Sequence, residues 1–508
     1  MPATRITAVA VARTAASATA LAVAGSAAMA DVTAEDVWTQ WQEALGSYGE
    51  GTLTAGDESR EGDTLTVSDI SLEMEEEDMA VSSQIGTVSF TENGDGTVTV
   101  TLPESYDVML GQPGSMEDNH ATLTVTNSGL DVQVSGEPEE ITYDITADSY
   151  TIELTEIVDA GETVPGEATA TLQGFTGSAM MATDGEMRDL DAEMSADMLD
   201  LLVDVDVPGE MVVDISGKFE NISLTETMRT PLEMDPEQPE MLMESGAMMD
   251  LNVEAGQSAL IFAYDDGSES ASGAYSAAGS RLAMAVSADR FTLDEGATDM
   301  ALQLQSEGIP FPVNVTLGEL GLAIDMPLSA SEEAEDFSAG FVIDELTVNE
   351  ELWMMADPSG ALPRDPASLI VRFSGSGRLD EDLANPTGGM QEMSQELPGE
   401  IYDLSIDELT LRLVGAALSG TGSFTFDNSD LTTFEGMPRP EGSATFRIEG
   451  VNTLLGQLAD MGLIPPDQIM GARMMLGLFA ESVGEDELES RIEVTPEGSV
   501  LANGQQLR

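Results

Sequence analysis

Apolar and polar residues alternate with a period of two along most of this chain, the signature of strands that bury one face. Residues 87–91 place Val88 and Phe90 on one side. A turn-rich run, Glu92-Asn93-Gly94-Asp95-Gly96, follows, and residues 97–102 then align Val98, Val100 and Leu102. This reads as a hairpin with its loop. A second hairpin is expected from Leu123 and Val125, through Asn127-Ser128-Gly129, to Leu130, Val132 and Val134. The opposite positions hold Thr, Gln and Asp, so each sheet should have one apolar and one wet face, as antiparallel sheets do. Residues 189–198 are a test case. Leu190, Met194 and Met198 fit a helical spacing, but Leu190, Ala192, Met194, Ala196 and Met198 alternate strictly with Asp189, Asp191, Glu193, Ser195 and Asp197. A strand is expected, and Val203, Val205 and Val207 extend it.

Short strand phrases recur. Asp69-Ile70-Ser71-Leu72 is similar to Asn221-Ile222-Ser223-Leu224. Ile343-Asp344-Glu345-Leu346 is similar to Ile406-Asp407-Glu408-Leu409, and Ala147-Asp148-Ser149-Tyr150 to Ala288-Asp289-Arg290-Phe291. Their uneven spacing fits no propeller or solenoid. They mark either an old duplication of a β-meander or merely strands of like composition.

Helices are expected near the ends. Thr33 can cap one that carries Val37, Trp38, Trp41, Ala44 and Leu45. Asn452 is a candidate cap for Leu454, Leu455, Leu458 and Met461. Pro465-Pro466 interrupts, and a further helix should run over about 467–480. A last strand alternates at Leu488, Ser490, Ile492 and Val494. Interior linkers are expected at 230–239, 357–366 and 385–398. The fold class is therefore mainly β: elongated antiparallel sheet of long alternating strands, with short α-helices near both termini. Two β-rich halves are expected, 31–230 and 240–508, the second with helices at about 452–481. A transmembrane barrel is disfavoured by the thin supply of aromatic residues.

The first thirty residues read as an address. Arg5 and Arg13 precede an Ala/Val-rich stretch and then Ala28-Met29-Ala30, the pattern of a secretory signal peptide cleaved after Ala30. The expected location is the periplasm or the exterior, with no transmembrane segment in the mature chain.

Charge narrows the function classes. Asp and Glu number 95 against 17 Lys and Arg, a net charge of -78. Lys218 is the only lysine. Nothing here could neutralise a row of nucleic-acid phosphates or dock electrostatically on anionic lipid. Such a surface suits a salty environment, where counterions screen self-repulsion. Cysteine is absent, which excludes disulfides and thiolate metal sites.

Candidate chemistry is sparse. His120 is the only histidine, with Glu117 and Asp118 nearby, and no Gly-x-Ser-x-Gly elbow accompanies it. It reads as a loop histidine before a strand. Acidic turns at 93–96, 265–267 and 427–430 could hold calcium but lack the spacing of an EF-hand, and plain turns are favoured. Met180-Met181, Met241 and Met243, Met248-Met249, Met354-Met355 and Met474-Met475 are clustered. Core filling is favoured over copper binding, and flexible Met surfaces adapt to apolar ligands. No catalytic, cofactor or metal residue is assigned, and no cofactor is expected.

The Val37-Trp38-x-x-Trp41 start, Arg60-Glu61-Gly62-Asp63-Thr64-Leu65, the segment 442–450, the Leu-rich helices to Ala480 and the strand before Pro496-Glu497-Gly498 resemble an exported family called domain of unknown function 2125. Long strands and terminal helices are also similar to AsmA-like envelope proteins, whose elongated sheets form grooves associated with lipid movement; that step is an analogy of fold. The leading expectation is a non-enzymatic envelope protein binding lipid or another apolar ligand in a β-sheet groove. The alternatives are an acidic structural or adhesion protein with calcium-responsive loops, and a secreted hydrolase using two carboxylates.

Overall fold

A computed structural model describes residues 32–46, 52–75, 79–207, 211–232, 245–383 and 399–507. The chain divides into two compact units. One runs to Ser276 and includes Gln305–Pro310; the other comprises Ala277–Leu304 and Phe311–Arg508. The expected junction at 230–239 and the linker at 385–398 lie largely outside the described residues, as do Met241, Met243 and the residues up to Asp31.

In the first unit, helix α1 (Ala34–Gly46) precedes strands β1 (Thr52–Thr54), β2 (Glu58–Glu61), β3 (Thr64–Glu75), β4 (Ala80–Glu92), β5 (Val98–Thr101), β6 (Ser105–Gly111), β7 (His120–Ser128) and β8 (Asp131–Glu137). Strands β9 (Glu140–Asp159), β10 (Glu162–Thr163), β11 (Glu167–Asp184), β12 (Met187–Val207), β13 (Met211–Pro231), β14 (Met248–Ala255), β15 (Ser258–Asp265) and β16 (Ser270–Ala277) follow. The second unit holds β17 (Gly279–Val286), β18 (Arg290–Ser306), β19 (Val313–Pro327), β20 (Glu335–Val348), helix α2 (Glu350–Ala356), β21 (Ala367–Leu379), β22 (Gly399–Leu413), β23 (Ala416–Asp427) and β24 (Arg439–Glu449). Helices α3 (Val451–Asp460) and α4 (Pro466–Phe479) then precede β25 (Glu481–Gly484), β26 (Glu487–Val494), β27 (Val500–Ala502) and β28 (Gln505–Gln506). The expected mainly-β class holds, with short helices at both ends and one, α2, that the sequence pattern had not marked.

The first unit is an antiparallel meander in which each long strand pairs with the next: β3 with β4, β9 with β11, β11 with β12, and β12 with β13. The hairpin of β4 and β5 forms as expected, with Phe90 opposite Val100. The second expected hairpin does not. Strands β7 and β8 both run against β9, Ser128 opposite Ser149 and Asp131 opposite Thr146. The Gly129 turn is thus a break within one direction of travel. Turn residues had marked a kink, not a reversal.

That kink belongs to a line crossing the unit. Asp69 (φ 53°), Gly86 (φ 93°), Gly129 (φ 64°), Gly174 (φ 62°) and Asn221 (φ 52°) all take the left-handed backbone in mid-sheet. The register sets Gly174 between Asp148 and Asp197, and Asn221 beside Asp197. Each strand carries its extra residue at the same level, so neighbours stay in step while the alternation shifts by one. Leu65 and Val67 therefore share one core with Ile70, and Val88 with Ile85. On β12, Ala192 and Ala196 are buried, and the half-buried set then moves to Leu201, Val203 and Val205. Met198, expected beside Met194, turns instead to the wet face, where Lys218 Nζ lies 3.8 Å from its sulfur.

Helix α1 closes the apolar face over β3 to β9. Thr33 Oγ1 accepts the Asp36 N–H at 3.3 Å while Asp36 accepts the Thr33 N–H at 2.9 Å, a reciprocal cap. Trp38 and Trp41 pack on Phe90 with ring centres 6.0 and 5.4 Å away. Val37, Trp38, Phe90 and Val134 are buried, each side chain contributing about 1.5–3 kcal/mol. A smaller cluster of Leu110, Leu123, Leu154 and Ala168 lies beyond the line of kinks.

Candidate functional site

The second unit is again an antiparallel meander, from β17 through β24 to β26 and β27. Cross-strand partners share a face, so the register can be read as rows. One row runs Ala297, Leu320, Ile343, Leu369, Leu411, Leu418, Ile448, Leu488 over eight strands. Another runs Met284, Leu293, Ile324, Ala339, Phe373, Ile406, and on through Gly422 and Ala444 to Ile492 and Ala502. Between them lie Leu322, Phe341, Val371, Leu409 and Phe446. A fourth row holds Phe337, Leu404, Phe424 and Val494 with Gly375 and Gly442 between them.

The glycines fit this surface. A Cβ on Gly375 would fall 2.7 Å from Phe337 Cζ, so the missing side chain leaves room for the ring to lie across the neighbouring strand. Gly420 does the same for Phe446.

The reverse face is mainly polar, although Val342, Ile370 and Thr410 form a short row on it in which Val342 and Thr410 are buried. Asp325, Ser338, Ser374, Ser405, Ser423, Ser443 and Glu493 form a row of their own. Arg281 pairs there with Asp294 at 2.9 Å and Arg290 with Asp325 at 2.6 Å. The bulge at Asp407-Glu408, where the register slips between Ile406 and Leu409, keeps both apolar residues on the same side.

The apolar face of the second unit is left partly open. Leu320, Leu322, Phe341, Phe373 and Leu411 are 37–40% exposed. In the first unit, Val88 and Phe90 at comparable central positions are fully buried under α1. Strands 4.8 Å apart put about 34 Å between the ends of an eight-strand row. Monomeric proteins in water seldom leave a contiguous apolar patch of that reach uncovered.

Three helices stand at one end of this unit, where β20, β22 and β24 finish. Helix α3 begins after Gly450 (φ 72°), and its first amides are taken by Asp486: the Asn452 and Thr453 N–H groups lie 2.9 and 2.8 Å from its carboxylate. Asn452 is thus inside the helix, and the expected cap is supplied from the β25–β26 turn. Burial works against the Asp486 charge, but these hydrogen bonds outweigh it and hold its carboxyl low. The loop 357–366 is pinned by Asp357, whose side chain is fully buried. It accepts the Leu362 N–H at 2.8 Å and Arg364 Nη1 at 2.9 Å, which hold its carboxyl well below the usual carboxylate range. Arg364 also stacks 4.6 Å over Trp353 of α2.

The remaining sequence candidates are placed apart. His120 is the first residue of β7, not a loop residue, with its Nε2 3.8 Å from Glu156. The acidic turns turn their carboxylates on their own donors. Asp95 takes Thr97, Asp266 takes Ser268 and Glu269, and Asp430 takes Thr432 and Thr433, which draws its pKa down to about 2. Arg439 bridges Asp427 and Asp430 at 2.8 and 3.2 Å. Among the described residues no group of three or more His, Asp and Glu is placed to hold a metal. Met180 and Met181 are adjacent on a strand and so point to opposite faces, with Met181 against the core. A groove of about 350 Å³ on the wet face of the first unit is lined by Ser178, Asp191, Glu193, Thr225, Thr227, Asp250 and others. Thr227 donates to Asp191 at 2.8 Å and Asn252 to Asp250 at 3.0 Å. No described helix is long and apolar enough to cross a membrane.

The sequence model of a family described as an uncharacterized protein conserved in bacteria (DUF2125) matches residues 218–497. The match takes in all of the open apolar face from β17 to β26, together with α2, α3 and α4. No curated protein and no solved structure matches the chain.

Proposed function

The chain belongs to the DUF2125 family, and from that premise we propose that it is a non-enzymatic, exported envelope protein that holds acyl chains against the open apolar face of its second unit. The observation that carries this reading is the set of apolar rows across eight strands, with five large side chains 37–40% exposed. A bilayer's hydrocarbon core is about 30 Å thick over two leaflets. A row of about 34 Å therefore accommodates one acyl chain at full length with room to spare. Export is supported by Arg5, Arg13 and Ala28-Met29-Ala30 at the amino end. The wet face, with its serine row and ion pairs, keeps the loaded protein in water.

The test is mass spectrometry of solvent extracts from protein purified out of its native compartment, without detergent and in high salt. Stoichiometric phospholipid or another acyl compound is the expected result, together with its loss in Phe341→Asp. A protein that comes out empty, and that no apolar dye enters, would overturn the reading.

A further inference from the structure

Helix α4 leaves large apolar side chains in the open. Met470, Met474 and Leu478 follow one another by four residues and so form a single stripe; they are 69, 70 and 46% exposed. Met475 beside them and Leu463 in the turn before are also exposed. Only Ile469 of this helix is buried. In a chain with 95 acids, the segment 451–480 carries three charges, Asp460, Asp467 and Arg473. The helix end is tied to the apolar side of the sheet: the Phe479 carbonyl accepts from Ser490 Oγ at 2.7 Å, and Ser490 lies opposite Phe446. The stripe is thus anchored at the rim of the open face.

We propose that α4 seats this protein on an uncharged lipid surface by inserting Met470, Met474 and Leu478 among the headgroups. Charge selects that occupant. A second copy would bring another net charge of -78 against the first, and an anionic membrane would repel the chain in the same way. A zwitterionic bilayer presents no such opposition, and an apolar helix face lies shallowly in its interface. The inference rests on the acyl-binding reading for its purpose, since the rim of the open face would then meet the lipid from which chains are drawn.

The experiment is flotation of the protein purified from its native compartment with phosphatidylcholine vesicles at 0.15 M and 1 M NaCl. Binding is expected at both, and it should be weaker on vesicles rich in phosphatidylglycerol at the lower salt. Met470→Ser, Met474→Ser and Leu478→Ser together should reduce binding at least tenfold with circular dichroism unchanged. If that variant does not fold, Met474→Trp supplies the readout, because its emission should shift to the blue when vesicles are added. Parent protein that stays unbound, a triple variant that floats equally, or tryptophan emission that vesicles leave unmoved would overturn the proposal. So would a dimer seen by light scattering that the triple substitution dissolves while vesicles bind neither form. Protein that carries lipid but does not float sinks the docking alone; protein that floats but is always purified empty sinks the acyl-binding reading alone.

Discussion

Asp148 occupies the space in which a side chain on Gly129 would have to sit: a Cβ built there falls 2.5 Å from Asp148 Oδ2. The same exchange recurs along the line of kinks, with Asp69 against Gly56 and Asp197 against Gly174. In the second unit it reappears as Glu345 (φ 52°) against Gly318. Gly129 also takes a φ of 64°, so substitution meets both backbone strain and overlap. Gly185, in the turn between β11 and β12, has φ 67° and open space around it. Gly185→Ala should cost about 1–2 kcal/mol for the left-handed backbone alone. Gly129→Ala should cost about 1–3 kcal/mol more. Urea unfolding of the two variants measures the difference, and equal losses would show that the carboxylate simply moves away.

The two apolar faces should respond differently to truncation. Phe90 is fully buried beneath Trp38 and Trp41, and Phe90→Ala is expected to cost about 3–5 kcal/mol. Phe341 is 38% exposed, so Phe341→Ala should cost clearly less, while lowering the uptake of an apolar dye. Paired thermal melts and dye titrations decide this. A Phe341 variant as unstable as the Phe90 variant would mean that the open face is structural.

Asp357 makes the loop after α2 sensitive to acid. Its carboxyl is held low by the Leu362 N–H and Arg364. Its contribution is therefore complete above the unfolded carboxylate value of about 3.9, and it fades as pH falls through the lower folded value. Asp357→Asn should lower the melting temperature at pH 7, and the gap to the parent protein should narrow on going from pH 5 down to pH 2. A gap independent of pH would assign the role to shape rather than charge.

A net charge of -78 should make stability rise with salt. The Debye length falls from about 10 Å at 0.1 M to about 3 Å at 1 M, and the melting temperature should climb over that span. The carboxylates of Asp95, Asp266 and Asp430 already accept hydrogen bonds from their own turns. Millimolar calcium at matched ionic strength should therefore add little. A specific calcium shift, seen by calorimetry, would bring back the reading of these turns as cation sites.

Period-two alternation was enough to read the long strands, including the one through Met194, because one wetted and one apolar face leave an unambiguous trace in composition. What it could not carry was the interruption of that alternation. Asp69-Ile70-Ser71-Leu72 and Asn221-Ile222-Ser223-Leu224 share a left-handed first residue at φ 53° and 52°, and Glu345-Leu346-Thr347-Val348 begins the same way. These recurring phrases have a local meaning: an acidic or amide residue that tolerates the left-handed backbone, followed by a strand that restarts on the correct face. Read as turns or as traces of duplication, such signals misplace Met198 and create a false hairpin at Gly129. The start of α3 was misassigned for another reason. Its cap, Asp486, comes from the turn between β25 and β26, 34 residues beyond Asn452, and local propensity is blind to a donor's distant partner. The open face is half legible: the rows follow from alternation, but that α1 covers the first unit's apolar side while the second unit's stays partly open depends on tertiary placement.

The line of kinks ties the lengths of separate strands together. Deleting one residue from a connecting loop changes only the loop. Deleting the extra residue of a single strand at Asp69, Gly174 or Asn221 would instead rotate half of that strand, turning its aliphatic side chains to water and its carboxylates inward. Neighbours that kept their own extra residue would no longer match it. The strands of the first unit are thus locked into a common count, and a scan of single-residue deletions should find an intolerant band running straight across the sheet, at right angles to the chain itself.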